Sequence, residues 1–259
     1  MSIATSNKPK NGSLVKAFAL LDYFSSKKSQ WGVRELSRHI GAHESTTYRM
    51  MSTLESLDIL YKNPETDKYA LGLKLYELGN RVDINASFIH LTHPELVQVA
   101  LDIEETVHLG ILRNGRVLMV DKVESSKGLR LDSSVGQMSP IHCTGIGKVL
   151  MAFNTEVLGI DLDLYDFKIY TEKTISNKFE FEKELRKIKK QSYAIDDQEF
   201  EQGLICVAVP VFNQKNELVA ALSAAGPSVR FKKDSLLDYV SILTKGAKAI
   251  QNNIGNYKI

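Results

Sequence analysis

Residues 33–57, VRELSRHIGAHESTTYRMMSTLESL, read as a short helix, a tight turn and a longer second helix. Apolar residues recur at Val33, Leu36 and Ile40, and again at Met50, Met51, Leu54 and Leu57, a spacing of three and four that buries one stripe of each helix. Gly41 stands where the chain must reverse between them, as in a helix-turn-helix unit. With Thr47, Met51 and Leu54 turned inward, Ser45, Thr46, Tyr48, Arg49 and Ser52 point outward from the second helix. That face is small, hydroxylated and cationic, which suits the major groove of duplex DNA. A bidentate Arg contact to guanine there is worth roughly 1–3 kcal/mol of base discrimination. Arg34, on the first helix, adds a further candidate DNA contact. An αα-hairpin buried in an unrelated core has the same periodicity, so the flanking segments must decide.

Residues 59–71, ILYKNPETDKYAL, are two β-prone stretches around a Pro-Glu-Thr-Asp connection, the composition of a hairpin with a polar tip. Directly after the second helix this is a wing, whose Lys62 and Lys68 approach phosphates and add affinity without sequence information. Upstream, SLVKAFALLDYFS (13–25) places Leu14, Phe18, Leu21 and Tyr23 or Phe24 on a helical stripe, with Ser13 as N-cap. The order helix, helix, helix, wing predicts a winged helix-turn-helix reader of double-stranded DNA over 13–75, behind a flexible arm at 1–12.

The 259 residues are 43% hydrophobic and 25% charged, a globular composition with enough chain for two cores. The formal net charge is only +2, yet residues 1–49 hold eight Lys and Arg against three Asp and Glu, so the cationic excess lies on the DNA-reading part. No run approaches the roughly 18 consecutive apolar residues of a membrane helix. The polar start MSIATSNKPKNGS lacks the apolar core of an export signal. A cytoplasmic protein is expected, with Cys143 and Cys206 as reduced thiols rather than a disulfide.

Residues 71–92 carry Leu71, Leu75, Leu78, Val82, Phe88 and Leu91 at helical spacing and predict a linking helix, assigned to 76–92, with a kink near Gly79. Pro94 then opens the first turn of a helix in a second domain, 93–259. TVHLGILR and RVLMVDKVES flank Asn114-Gly115, a strong hairpin signal. GLICVAVPVF and ELVAALSAAGP flank NQKN as a second hairpin. Helices are expected at 145–153, 177–191 and 234–253, the last burying Leu236, Leu237, Val240, Leu243, Ala247 and Ile250. This makes the second domain α+β, with a predominantly antiparallel sheet and helices segregated against it, an arrangement that can expose one side as a ligand cup.

Three segments in order, ESTTYRMMSTLESLDIL, GQMSPIHCTGIGKVLMAF and YAIDDQEFEQGLICVAVPVFNQKNELVAALSAAGP, resemble the IclR family of bacterial transcription regulators. The resemblance covers nearly the whole chain. It implies a winged helix-turn-helix, a linker helix and a GAF-like C-terminal domain that binds a small effector such as an organic acid, an aromatic or a sugar-derived metabolite. It further implies an effector site in which Gly145 and Ile146 present backbone N–H groups at a helix start, with Asp196, Cys206 and Ser223 lining the pocket. A helix N-terminus favours an anion on physical grounds as well. Ala225 departs from the family, where a Ser is common. The lost hydroxyl disfavours a small hydrophilic oxo-acid and favours a larger or less polar one. The expected regulator is a homodimer or dimer of dimers that reads two half-sites about 34–36 Å apart, or a multiple of that, modulated by its effector and controlling a catabolic operon, as a repressor or an activator.

Other chemistries fit less well. GIGK at 145–148 lacks the Gly at His142 and the Ser or Thr at Val149 that a phosphate loop needs. His142 and Cys143 beside Asp196 suggest a thiol enzyme, but neighbouring side chains on an extended chain point to opposite faces. His90 and His93 form an isolated His-x-x-His with no further ligand signal, so no metal or other cofactor is expected. The alternative is a small-molecule-binding or thiol enzyme module whose helix-turn-helix makes only protein contacts.

Overall fold

The computed structural model describes residues 11–25, 28–82, 84–127, 133–154, 160–231 and 235–258, and the chain divides after Asn85 into two compact units. Most of the arm expected at 1–12 lies outside the described residues.

The first unit contains α1 (Gly12–Leu21), α2 (Val33–Ile40), α3 (Glu44–Ser56), the strands β1 (Leu60–Lys62) and β2 (Tyr69–Leu71), and α4 (Leu73–Gly79). Gly41 takes a left-handed φ of 66° to end α2, and β1 and β2 pair antiparallel as the wing. Leu20, Phe24, Trp31, Leu36, Met51, Leu54, Leu60 and Tyr69 form the core. Trp31 ties the loop before α2 to the wing through a bridge to Tyr69.

Three expectations fail here. The N-cap of α1 is Asn11, not Ser13, because the Asn11 Oδ1 accepts from Ser13 N and Leu14 N at 3.1 and 3.2 Å. Leu14 and Phe18 are 58% and 64% exposed; burial at the end of α1 falls to Leu20. Leu57 is the C-cap of α3 and points to solvent, since the helical repeat stops one residue earlier.

The linking segment is shorter and less regular than its apolar spacing predicts. Leu71 belongs to the wing, and α4 stops at Gly79 with the Asn80 amide bonded to the Tyr76 carbonyl at 2.8 Å. A π-helical segment, Ile84–Ile89, then runs into α5 (His90–Ile103), so that helix starts before Pro94, which sits at the end of its first turn.

The second unit adds β3 (Thr106–Arg113), β4 (Arg116–Val123), β5 (Met138–Ser139), α6 (Gly145–Asn154), α7 (Lys178–Gln191), β6 (Ala194–Asp197), β7 (Leu204–Phe212), β8 (Leu218–Pro227) and α8 (Leu236–Ile254). Asn114 and Gly115 both have positive φ, the conformation of the tight hairpin turn. The six strands form an antiparallel sheet in the order β5-β4-β3-β8-β7-β6. Helices lie on both faces of the sheet, and a cavity remains on the face that carries α6. Ala221 packs into the core under α6 and α7, while its neighbour Leu222 meets Gly246 of α8 on the other side. In α8 Leu237 is exposed and Leu236, Leu243, Gly246, Ala247, Ile250 and Ile254 are buried.

Candidate functional site

In the N-terminal unit α3 turns Thr47, Met51 and Leu54 into the core, with the Thr47 hydroxyl satisfied by the His43 carbonyl at 3.2 Å. The 3.6-residue repeat then puts Ser45, Tyr48 and Arg49 on the solvent face, with Thr46 and Ser52 half-buried at its edges. Tyr48 is 53% exposed. The Arg49 guanidinium has no ion-pair partner among the described residues. Arg34 is exposed but committed, its Nε lying 3.0 Å from Glu44 Oε1. Lys62 pairs with Asp67 across the wing at 2.9 Å, a bond that raises its pKa, and Lys68 is exposed. Arg49 is therefore a free cation, whereas Arg34 and Lys62 share their charge with a carboxylate. Glu44 and Asp67 were missed in the sequence because pairs across a turn leave no periodic trace.

The C-terminal unit holds a cavity of about 80 Å³ between the sheet and the start of α6. Gly145, Ile146, Asp196, Cys206 and Ser223 all line it, as does Ala225. Sheet register explains the assembly. Asp196, Cys206 and Ala225 pair in turn across β6, β7 and β8, and His108, Ser223 and Ala208 pair in turn across β3, β8 and β7. Positions two apart on a strand share a face, so both rungs look into one space. Thr144, Ser133 and Gln137 also line it and, like His108, carried no signal in the strand pattern.

Close packing fixes the helix start. The Thr144 hydroxyl donates to the Pro140 carbonyl at 2.7 Å and accepts from Gly147 N at 3.2 Å. A Cβ on Gly145 would meet Ala208 Cβ and Cys206 Sγ, each at 3.2 Å, so this glycine lets the helix sit against β7.

The cavity wall is largely apolar, and the titratable side chains that face it from the sheet are shifted toward their neutral forms. Burial pushes Asp196 up to about 7, against the pull of the Lys148 charge and of its bonds from Glu199 N at 2.7 Å and Phe200 N at 3.4 Å. Burial, with Lys122 nearby, pushes His108 down to about 3, leaving a neutral ring bonded to the Ser133 hydroxyl at 2.8 Å. Lys148 is 1% exposed and donates to the Ile195 carbonyl at 2.6 Å and to Glu199 Oε1. It is thus unavailable to a phosphate in the manner of a phosphate loop. The Ser223 hydroxyl is buried with no nitrogen or oxygen partner among the described residues, and the Cys206 thiol beside it is its one polar neighbour, an interaction that works against the rise burial gives the thiol.

The thiol-enzyme arrangement is not formed. Both His142 nitrogens are taken, Nδ1 by the Tyr165 hydroxyl and Nε2 by the Lys168 carbonyl, each at 3.0 Å. Burial pushes Cys206 up to about 12 and Cys143 upward as well, so neither offers a thiolate. His93 bonds Asp121 Oδ2 through Nδ1 at 2.9 Å.

Residues 13–64 match the IclR helix-turn-helix domain, and residues 82–252 match the bacterial transcriptional regulator IclR C-terminal domain. The chain belongs to the IclR family. It is 34% identical to the HTH-type transcriptional regulator KdgR of Escherichia coli (strain K12) over 245 residues, 94% of this chain and 92% of that one. It is 30% identical to the HTH-type transcriptional regulator XynR of the same species over 244 residues, 94% and 97% of the two chains. The IclR crystal structure from Thermotoga maritima superposes with a TM-score of 0.73 at 30% identity, over 94% of this chain and 98% of that one. These IclR-family relatives are transcription regulators rather than members of an enzyme family, and the IclR family joins a DNA-binding N-terminal domain to an effector-binding C-terminal domain. Among the described residues no helix is long and apolar enough to cross a membrane.

Proposed function

We propose that this IclR-family regulator binds its operator through the outer face of α3 and the wing, and that a compact organic acid in the cavity beside α6 sets its affinity for DNA. The observation that carries the reading is the Ser223 hydroxyl, a buried group with only the weakly bonding Cys206 thiol beside it, on the wall of a cavity that also holds the N-terminus of α6. A thiol is a weak hydrogen-bonding group, so a ligand oxygen gives this hydroxyl a stronger partner on binding. The α6 N-terminus supplies the positive end of a helix dipole for a carboxylate. Asp196, half-protonated near neutral pH, donates to an acid as readily as it accepts.

The cavity volume of about 80 Å³ is a few times the roughly 30 Å³ share of one liquid water, which suits a compact acid. This opposes the larger ligand suggested by Ala225, whose missing hydroxyl exchanges polarity for a little carbon surface. Control of a catabolic operon as a homodimer or dimer of dimers completes the proposal. Effector action on DNA is limited to its differential affinity for the two arrangements of the regulator.

The test is a thermal-shift screen of short oxo-, hydroxy- and phenolic acids and their neutral amides, followed by gel-shift titration on the DNA upstream of the coding region. An acid that stabilises the wild type, fails to stabilise Ser223→Ala and alters retention of that DNA supports the reading. Stabilisation by amides alone, or by acids equally in both proteins, overturns it.

A further inference from the structure

Glu44 is the first residue of α3, and it presents a carboxylate on the end of the helix that enters the groove in a helix-turn-helix complex. A negative charge there faces rows of phosphates and lowers affinity unless it is neutralised and used. Arg34, reaching over from α2, neutralises it: its Nε lies 3.0 Å from Glu44 Oε1, with the two side chains 78% and 54% exposed. This bond occupies one carboxylate oxygen, while Oε2 and the two terminal guanidinium nitrogens of Arg34 make no bond among the described residues. In water such a pair adds little to stability. In a dehydrated groove the same geometry is stronger, and it holds an acceptor and a donor fork side by side.

The chemistry selects one base. In the major groove guanine and thymine present acceptors to a carboxylate, and adenine sets its N6 donor beside the N7 acceptor. Cytosine offers the N4 donor with no acceptor beside it. We propose that Glu44 is a base-reading residue that accepts from cytosine N4 once in each half-site, and that Arg34 is the positioning residue that fixes its carboxylate while contacting the adjacent phosphate. The inference rests on α3 being the recognition helix and extends that reading to a residue at its mouth.

Selection from a randomised duplex library with the full-length wild type, Glu44→Gln, Glu44→Ala and Arg34→Ala tests it. The wild type should favour cytosine at one position per half-site by roughly five- to 150-fold. Glu44→Gln, whose amide suits adenine N6 and N7, should move that preference to adenine and leave every other position unchanged. Glu44→Ala should flatten the position. Arg34→Ala should flatten it in part and reduce the salt slope by about one. Identical preferences in wild type and Glu44→Gln, or tighter binding of Glu44→Ala to the same sequences, overturn the proposal and leave Glu44 as a helix-end charge. A wild type that enriches no sequence overturns the DNA-reading assignment of α3 itself.

Discussion

Asp196 and Cys206 are direct partners across the β6–β7 ladder, and both side chains line the same cavity. Burial raises both groups, the thiol to about 12 and the carboxyl to about 7, so only the carboxyl of this pair changes charge near neutral pH. Of this pair Asp196 therefore carries the pH response, and its neighbours set how that carboxyl titrates.

Asp196 and His108 tilt stability in opposite directions. Asp196 has a folded pKa of about 7 against its ordinary 3.8. Between those values the folded protein holds a proton that the unfolded chain has lost, and stability falls as pH rises. His108 has a folded pKa of about 3 against its ordinary 6.5. There the unfolded chain holds the extra proton, and stability rises with pH. The two slopes oppose each other between about pH 4 and pH 6.5, leaving Asp196 alone up to about pH 7. Urea titrations across this range should show Asp196→Asn gaining on the wild type as pH rises and His108→Gln gaining as pH falls. Parallel curves for all three proteins would refute both assignments.

Lys148 is a buried cation whose removal strands the carboxylates beside it. Glu199 bonds it directly, and Glu184 lies 4.0 Å away. Lys148→Met should cost about 3–5 kcal/mol, the usual result of breaking a buried pair from one side. Lys148→Met combined with Glu199→Gln should recover most of that loss, because no uncompensated charge remains on Glu199. A double variant as unstable as the single one in urea denaturation would show that the lysine stem, not its charge, carries the effect.

The two glycines at the start of α6 should respond very differently to a methyl group. At Gly147 an added Cβ would stand 2.5 Å from Ile141 Cα and 2.6 Å from its carbonyl oxygen, backbone atoms that cannot yield cheaply. Gly147→Ala should therefore lose about 1–3 kcal/mol or more. At Gly145 the neighbours are Ala208 Cβ and Cys206 Sγ at 3.2 Å, which need to shift only by tenths of an ångström. Gly145→Ala should stay close to wild-type stability while weakening the thermal shift given by an acid. Equal urea midpoints for the two variants would contradict the packing described for α6.

What was legible in the sequence was local. Thr47, Met51 and Leu54 turn inward and Tyr48 and Arg49 outward as the helical repeat requires, and Asn114-Gly115 makes its hairpin. The misses are interactions that join distant parts of the chain. Lys148 finds Glu199 across 51 residues and His108 finds Ser133 across 25, with no shared period to betray either. β5 has two residues and β6 four, too few for an alternating pattern, yet β6 carries Asp196 to the cavity. At Leu14 and Phe18 the helical spacing was right, but spacing alone does not say which stripe meets a partner.

Arg49 gives the sharpest test of the DNA-reading face. Its guanidinium is exposed and makes no ion pair among the described residues, so Arg49→Ala should change stability by no more than about 0.5 kcal/mol in urea denaturation. Loss of a bidentate base contact should cost roughly 1–3 kcal/mol on the specific site and relax base preference there. If Arg49 meets phosphate instead, affinity should fall evenly on specific and scrambled duplexes, and the dependence on salt should weaken by about one ion. Gel-shift titrations at several salt concentrations on both duplexes separate these outcomes. Unchanged affinity and slope on both would remove Arg49 from the interface, and with it the argument that an unpaired cation on α3 is there to meet DNA.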